Sequence, residues 1–423
     1  MKQIIYSFLL LICCSVIHGQ EILIQNVTVH TQSDKGTIEN TSIYIVDGQI
    51  EAIGARLDVA SDTKIIDATG LQVTPGLINP YTALGIIEIG AVRSTVDVET
   101  DDEMFSTSYN IAPAFNPASS LIPLNRTHGL TMAIVAPDSG HHVFAGQAAL
   151  VHLRRSGDLL IDRSIAMFAR FGARAGRFAG GSRAAAYAKM RHAFLDTKEY
   201  VENSDAVMRG NWRDLSLPKH DLEALVPVVE GTKPLVIDVH RASDIRTLLE
   251  LKKEFNLNII IVGGAEAWMV ADELAAENVP VILDPMYNLP GNFDRLGARM
   301  DAASLLHRAG VKLIFTALTT SHNPFLVRQS AGNAVAHGLP STEALMAMTI
   351  NPAEIFGIDD RFGSIEEGKV ADLVIWDGDP LELLTRAETV IINGELIPMV
   401  SRSSRLRERY RNLNDSTPYI YRK

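Results

Sequence analysis

Cysteine is almost missing from this chain: of 423 residues only two are cysteine, Cys13 and Cys14. Both sit in the first twenty residues. A chain that loses those residues has no disulfide, no thiolate ligand and no thiol nucleophile, so its fold must stand on its hydrophobic core alone. Long apolar runs are missing too. After residue 20 nothing approaches the roughly 20 apolar residues that a bilayer-spanning helix needs. Basic residues are in deficit, with 39 Lys and Arg against 50 Asp and Glu, for a formal net charge of −11. Such a surface repels phosphate backbones, so nucleic acid is not an expected partner. Internal repeats and low-complexity segments are absent as well.

What is there begins with an address. Lys2 supplies a positive charge, Ile4 to Ile17 is almost wholly apolar, and Ser15, His18 and Gly19 break the run. The pattern predicts a secretory signal peptide over residues 1–19, cleaved after Gly19 to leave Gln20 first, and hence export to the periplasm or the exterior. Cleavage removes Lys2 and no acidic residue, which makes the mature chain one unit more negative. A membrane anchor is the rival reading, but the run is short and strand-like sequence follows at once. A lipoprotein needs a small residue before the acylated cysteine, whereas Ile12 precedes Cys13 and Cys13 precedes Cys14.

A hydrophobic content of 47% is that of a well-buried globular protein. Residues 20–74 are β-rich, with alternation from Ile22 to Val29, short strands at Ser42 to Val46 and Gln49 to Ile53, and the hairpin turn Asp47-Gly48 between them. Lys64 to Ile66 and Gln72 to Thr74 add further strands. From Pro75 to residue 357 the rhythm changes. Apolar runs of strand length (Leu130 to Ala136, Leu235 to Val239, Asn258 to Val262, Val279 to Leu283, Val311 to Phe315) alternate with helical stretches, which predicts βαβ units, a parallel sheet and a closed barrel. Residues 160–215 are rich in Ala, Gly and Arg and read as a barrel helix plus an insertion. Over 358–400 β character returns, with Asn393-Gly394 as a turn, so the two β-rich ends are expected to join in one composite β-sandwich domain. Residues 401–423 read as a basic terminal arm.

Several segments carry a family resemblance. Thr349-Ile350-Asn351-Pro352-Ala353, Gly363 to Val374 (GSIEEGKVADLV) and Val390-Ile391-Ile392-Asn393-Gly394 resemble the C-terminal signature of the amidohydrolase superfamily, in its imidazolonepropionase-like branch. Asp47-Gly48-Gln49-Ile50 and Val73-Thr74-Pro75-Gly76-Leu77-Ile78 resemble the N-terminal signature, and Asp238-Val239-His240-Arg241 fits the middle. The resemblance implies a (β/α)8 TIM-like barrel with a composite β domain, and hydrolysis of non-peptide C–N bonds. It also implies one or two divalent metals, typically zinc, at the barrel mouth, where metal-bound water becomes a hydroxide near neutral pH.

The implied ligands are largely replaced. The family places His-x-His after strand 1, His after strands 5 and 6, Asp after strand 8, and a bridging Lys or Glu on strand 4. Here strand 1 ends Asn79-Pro80-Tyr81-Thr82-Ala83. Ala83 has no ligand atom, and the Tyr81 phenol, with a reference pKa near 10, is a poor ligand. His240 is present after strand 5. Gly263 takes the strand 6 position, Thr319 or Thr320 that of strand 8, and Met167-Phe168-Ala169-Arg170-Phe171-Gly172 offers no bridging residue. A single imidazole does not hold a catalytic metal.

Other residues are candidates for a rebuilt site. His141 and His142 follow the strand Leu130 to Ala136 and, with His240, Asp284 and His322, form a candidate cluster at the mouth; adjacent loop histidines are more commonly solvent-exposed or bonded to backbone. His152 has a weaker case, lying in an alternating strand-like run. Among Arg163, Arg170, Arg174, Arg177 and Arg183, two (Arg170 and Arg174) join Tyr81 and Asp284 as the candidate substrate-binding set, since guanidinium forks clamp carboxylates and other anions. A solvated, arginine-bearing insertion is the competing reading. The acidic stretch Asp97 to Glu103 is read as a solvated loop or a cap over the mouth, and Trp268, Tyr287 and Phe293 as pocket lining or plain packing. Two functions remain open. One is an amidohydrolase-like enzyme with His240 as its catalytic base or ligand. The other is a non-catalytic relative that binds a small molecule, self-associates, or partners an active paralogous amidohydrolase.

Overall fold

The structure is a computed structural model that describes residues 21–209, 213–317, 322–411 and 417–418. The expected signal segment with Cys13 and Cys14, and the strand 8 position at Thr319 and Thr320, lie outside the described residues.

Both chain ends build one sheet. From the N-terminal side come β1 (Ile22–His30), β2 (Thr37–Val46), β3 (Gln49–Gly54), β4 (Lys64–Asp67) and β5 (Gln72–Pro75). The barrel strands follow: β6 (Leu77–Thr82), β7 (Leu130–Val135), β8 (Phe144–His152), β9 (Leu160–Arg170), β10 (Leu235–Val239), β11 (Ile259–Gly263), β12 (Val281–Leu283) and β13 (Leu313–Phe315). The C-terminal side returns with β14 (Leu373–Trp376), β15 (Ala387–Ile392) and β16 (Glu395–Leu396). The first sheet runs β16-β15-β14-β5-β1-β2-β3, with β4 beside β1. Its seam is the antiparallel pairing of β5 with β14, from Leu373 opposite Pro75 to Trp376 opposite Gln72.

Two hairpin turns pack on each other and explain their glycines. Asp47-Gly48 and Asn393-Gly394 all have positive φ (49°, 84°, 53° and 72°), as two-residue hairpin loops require. A Cβ on Gly394 would lie 2.5 Å from the Gly48 Cα. No side chain fits between them.

The second sheet is the barrel, in the unbroken order β6 to β13. Its inner layer is apolar: Ile78, Met132, Ile134, Leu150, Phe168, Val236, Ile260, Val262, Ile282 and Ile314 are all buried in one cluster. Alternate residues of the same strands, such as Ile237, Val239, Ile259 and Ile261, face the surrounding helices. Strand alternation is therefore apolar on both faces, as a helix-covered barrel requires. β6 and β13 close the ring without a ladder of their own. The carbonyl of Ala347 accepts from the Phe315 amide at 2.8 Å and that of Met348 from the Ile78 amide at 2.9 Å, so residues 347–348 bridge the gap.

One expectation needs correction. The sheet is not wholly parallel, and residues 160–170 are a strand rather than part of a barrel helix. β8 runs antiparallel to both β7 and β9. A turn over residues 153–159 joins β8 to β9 as a hairpin, so no crossover helix is needed there. The outer half of β9 alternates between exposed and half-buried residues and only Ala166 to Arg170 is buried throughout, which dilutes its apolar signal. The helix Arg183–Met208 then covers this side. At the far end of β8, the His152 Nε2 lies 3.0 and 2.9 Å from the two carboxylate oxygens of Asp372, and both residues are buried. That pair ties the barrel to the composite sheet.

Candidate functional site at the barrel mouth

In a barrel of this kind the strand C-termini form the mouth, and chemistry collects there. Asn79, fully buried on β6, braces that strand. Its Oδ1 accepts from the Thr316 hydroxyl at 2.9 Å and the Tyr81 amide at 3.0 Å, while its Nδ2 donates to the Pro324 carbonyl at 2.9 Å. The bracing aims Tyr81 inward, where its ring stacks on Phe168 of β9 with centroids 5.4 Å apart and planes 13° apart. Burial, and then the negative charge of Asp238, push the phenol well above its ordinary pKa. In this environment Tyr81 presents a neutral hydroxyl.

Arg170 ends β9, the fourth strand, and fills the centre of the mouth. It is 8% exposed. Its Nε donates to the Asp238 carboxylate of β10 at 2.9 Å, and its Nη1 lies 3.1 Å from the Asp138 carboxylate beyond β7. Burial opposes the charge, but Asp238 and Asp138 outweigh it and hold the guanidinium above its ordinary pKa. Arg174, about half exposed, reaches Asp138 at 3.4 Å. A fixed cation therefore sits where the family resemblance places the residue that bridges two metals. The two candidate arginines do come together, on protein carboxylates rather than on an open anion site.

His240 lies beside this network, its Nε2 3.4 Å from Asp238. Its Nδ1 is buried without a hydrogen-bond partner among the described residues. Burial pushes its pKa down, against the pull of Asp238. Gly263, at the end of β11, has φ of +92°, and a Cβ there would meet the His240 ring at 2.4 Å. The surviving histidine thus lies across the very residue where the family's next histidine would begin. Ala83 adds no donor. These residues do not fit the family's metal site.

The remaining candidates scatter. His141 is exposed and meets Asp101 at 3.0 Å, so the acidic stretch does lie against the loop after β7. His142 lines a cavity of about 160 Å3 with His141, Phe178 and Lys189. The His322 ring meets the Glu88 carbonyl at 3.0 Å. Asp284 is buried just after β12, where it caps a short helix, accepting from the Met286 amide at 3.0 Å and the Ser330 hydroxyl at 2.9 Å. Among the described residues no group of three or more His, Cys, Asp or Glu is placed to hold a metal ion, so the rebuilt cluster of His141, His142, His240 and His322 does not assemble there. Trp268 donates to the Gly297 carbonyl at 2.8 Å, Tyr287 lies under Arg295, and Phe293 is 88% exposed. Arg183 pairs with Asp244 and Asp294 and pins the loop after β12 beside the mouth. Sequence reasoning missed Asp138 and Asp238 as functional partners. Their only signal was position, Asp138 just beyond β7 and Asp238 near the end of β10.

A barrel with its mouth built from strand ends, joined to a composite sheet made by both ends of the chain, defines the fold class: a TIM-like barrel with a composite β domain. Comparison with known proteins narrows it. The sequence profile of the amidohydrolase family matches residues 228–400. Amidohydrolase tasK of Hapsidospora irregularis is 24% identical over 400 residues, covering 84% of this chain and 39% of the relative. Imidazolonepropionase of Sphingopyxis alaskensis is 38% identical over 96 residues, 21% of this chain and 23% of that enzyme. The crystal structure of an amidohydrolase from Thermotoga maritima superposes with a TM-score of 0.80 at 25% identity, covering 90% of this chain and all of that one. These matches support a place for the chain in the amidohydrolase superfamily. The chain spans less than half the length of the curated relatives it matches.

Proposed function

We propose that this chain is an amidohydrolase-fold protein that has given up metal-hydroxide catalysis and works by binding, as a partner of an active amidohydrolase or as the receptor for a small ligand. The observation that carries this reading is the packing of His240 across Gly263, with Arg170 clamped between Asp138 and Asp238. A metal-bound hydroxide needs several converging donors and an open coordination position. Here the donor atoms are gone from two positions, and a guanidinium holds the carboxylates that remain. Loss at several ligand positions with the scaffold intact is what relaxed catalytic constraint looks like. We also propose that residues 1–19 direct export and are cleaved in the process, so that the mature protein begins at Gln20.

Metal analysis tests the reading. The full mature chain, purified without added metal, should carry only substoichiometric Zn, Fe and Mn. A stoichiometric metal that disappears in His240→Ala would overturn it. The second reading, hydrolysis of a non-peptide C–N bond, is favoured by the names of the relatives and by the His240–Asp238 pair at the strand 5 end. Turnover of a cyclic amide such as a hydantoin, lost in His240→Gln, would establish it.

A further inference from the structure

The face opposite the mouth carries a basic pocket. It has a volume of about 640 Å3 and lies between the C-terminal helix Arg402–Tyr410 and the barrel's lower rim. Arg126 and Arg155 come from that rim, the first just before β7 and the second in the β8–β9 turn. Arg402, Arg405 and Arg409 come from the helix. Their i, i+3, i+7 spacing puts them on one helix face. Leu406 shares that face, and Ile397 and Val400 add apolar lining. A capping box between Ser401 and Ser404 fixes where the helix starts.

Among the described residues these charges meet no carboxylate. Arg126 spends its donors on the Leu153 and Arg154 carbonyls. For Arg155, Arg402, Arg405 and Arg409 there is no ion pair among the described residues; Glu408 turns away to Arg411. This concentration of positive charge stands out on a chain of net charge −11. The lower face of such a barrel does not host its chemistry, so a substrate site is the wrong reading. Spacing decides between a small anion and a chain. The helix rises about 1.5 Å per residue, so Arg402 and Arg409 are roughly 10 Å apart along it, too far for one phosphate or carboxylate to bridge. An extended segment repeats each face about every 6.6 Å and can set successive carboxylates against successive guanidiniums.

We infer that this pocket docks an extended acidic segment of a partner polypeptide, with carboxylates on alternate residues facing the arginines and apolar residues between them against Leu406 and Ile397. The inference gives the binding reading above a location, and it rests on that reading only for its biological purpose.

The test is fluorescence polarisation with a labelled peptide alternating Glu and Leu, added to the full mature chain. Saturable binding that weakens with added salt is expected. The triple variant Arg402→Glu, Arg405→Glu, Arg409→Glu should lose roughly tenfold or more in affinity, through lost charge-assisted bonds, with its melting temperature unchanged. Failure of the wild type to bind, equal binding of a Gln–Leu peptide, or full displacement by millimolar inorganic phosphate would each overturn the inference. So would binding seen only after removal of residues 412–423, which would make the chain's own tail the occupant. Metal content reports on the mouth alone: a chain that binds the peptide and also holds stoichiometric metal refutes the proposed function and leaves this inference standing.

Discussion

Replacing Arg170 by methionine would strip the guanidinium from between Asp138 and Asp238 while keeping most of the apolar stem. The two carboxylates would then face each other and the His240 ring across a partly closed mouth. Breaking a buried ion pair by removing one partner typically costs about 3–5 kcal/mol. Asp138 is 32% exposed and Asp238 25%, so water recovers part of that; a cost of about 2–3 kcal/mol is the reasonable expectation. In a domain of this size that is a fall of several degrees in melting temperature. Arg170→Lys should fall in between, because an ammonium keeps the charge but cannot fork to two carboxylates. The diagnostic readout is metal. Differential scanning fluorimetry of the wild type should be indifferent to EDTA and to added Zn2+. The methionine variant should be partly restabilised by Zn2+, because a divalent cation can then neutralise Asp138 and Asp238. The reasoning fails if the variant melts with the wild type, or if EDTA alone destabilises the wild type.

Three further outcomes follow from the geometry. Restoring Tyr81→His and Ala83→His together should not bring stoichiometric zinc, and adding Gly263→His should lower the melting temperature, since its Cβ would start 2.4 Å from the His240 ring at a backbone φ of +92°; metal analysis and thermal melts of both variants decide it. Gly394→Ala should cost about 1–3 kcal/mol in urea denaturation, because positive φ and the 2.5 Å approach to Gly48 both oppose a Cβ; an unchanged midpoint would refute the account of the paired turns. The third concerns pH. Burial holds the His240 pKa below its ordinary 6.5, so near and below that value the unfolded chain binds more protons than the folded one. Stability should fall as pH drops below about 6.5, and His240→Gln should make that fall shallower; a parallel pH profile for the two proteins would show that the ring is not buried neutral.

The parts of this molecule that could be read from its sequence are those where residue type alone decides the chemistry. Asp47-Gly48 and Asn393-Gly394 announce their turns because few other residues accept positive φ twice in a row. Apolar strands such as Leu235 to Val239 announce themselves by composition, and were placed within a residue or two of where they lie. The absence of a side-chain donor at Ala83 and Gly263 is legible for the same reason, since neither side chain has one in any conformation. The β8–β9 hairpin was not legible, because a strand's direction is set by how its ends connect and not by its pattern. Nor was the network that occupies the mouth. Asp138, Arg170 and Asp238 lie tens of residues apart, and each looks like an ordinary surface charge until the barrel brings them within ion-pairing reach. A missing ligand is thus a local fact, but what stands in its place is a property of the closed sheet. That asymmetry is why Arg170, read from sequence as a clamp for an outside anion, proves to be engaged by the protein's own carboxylates.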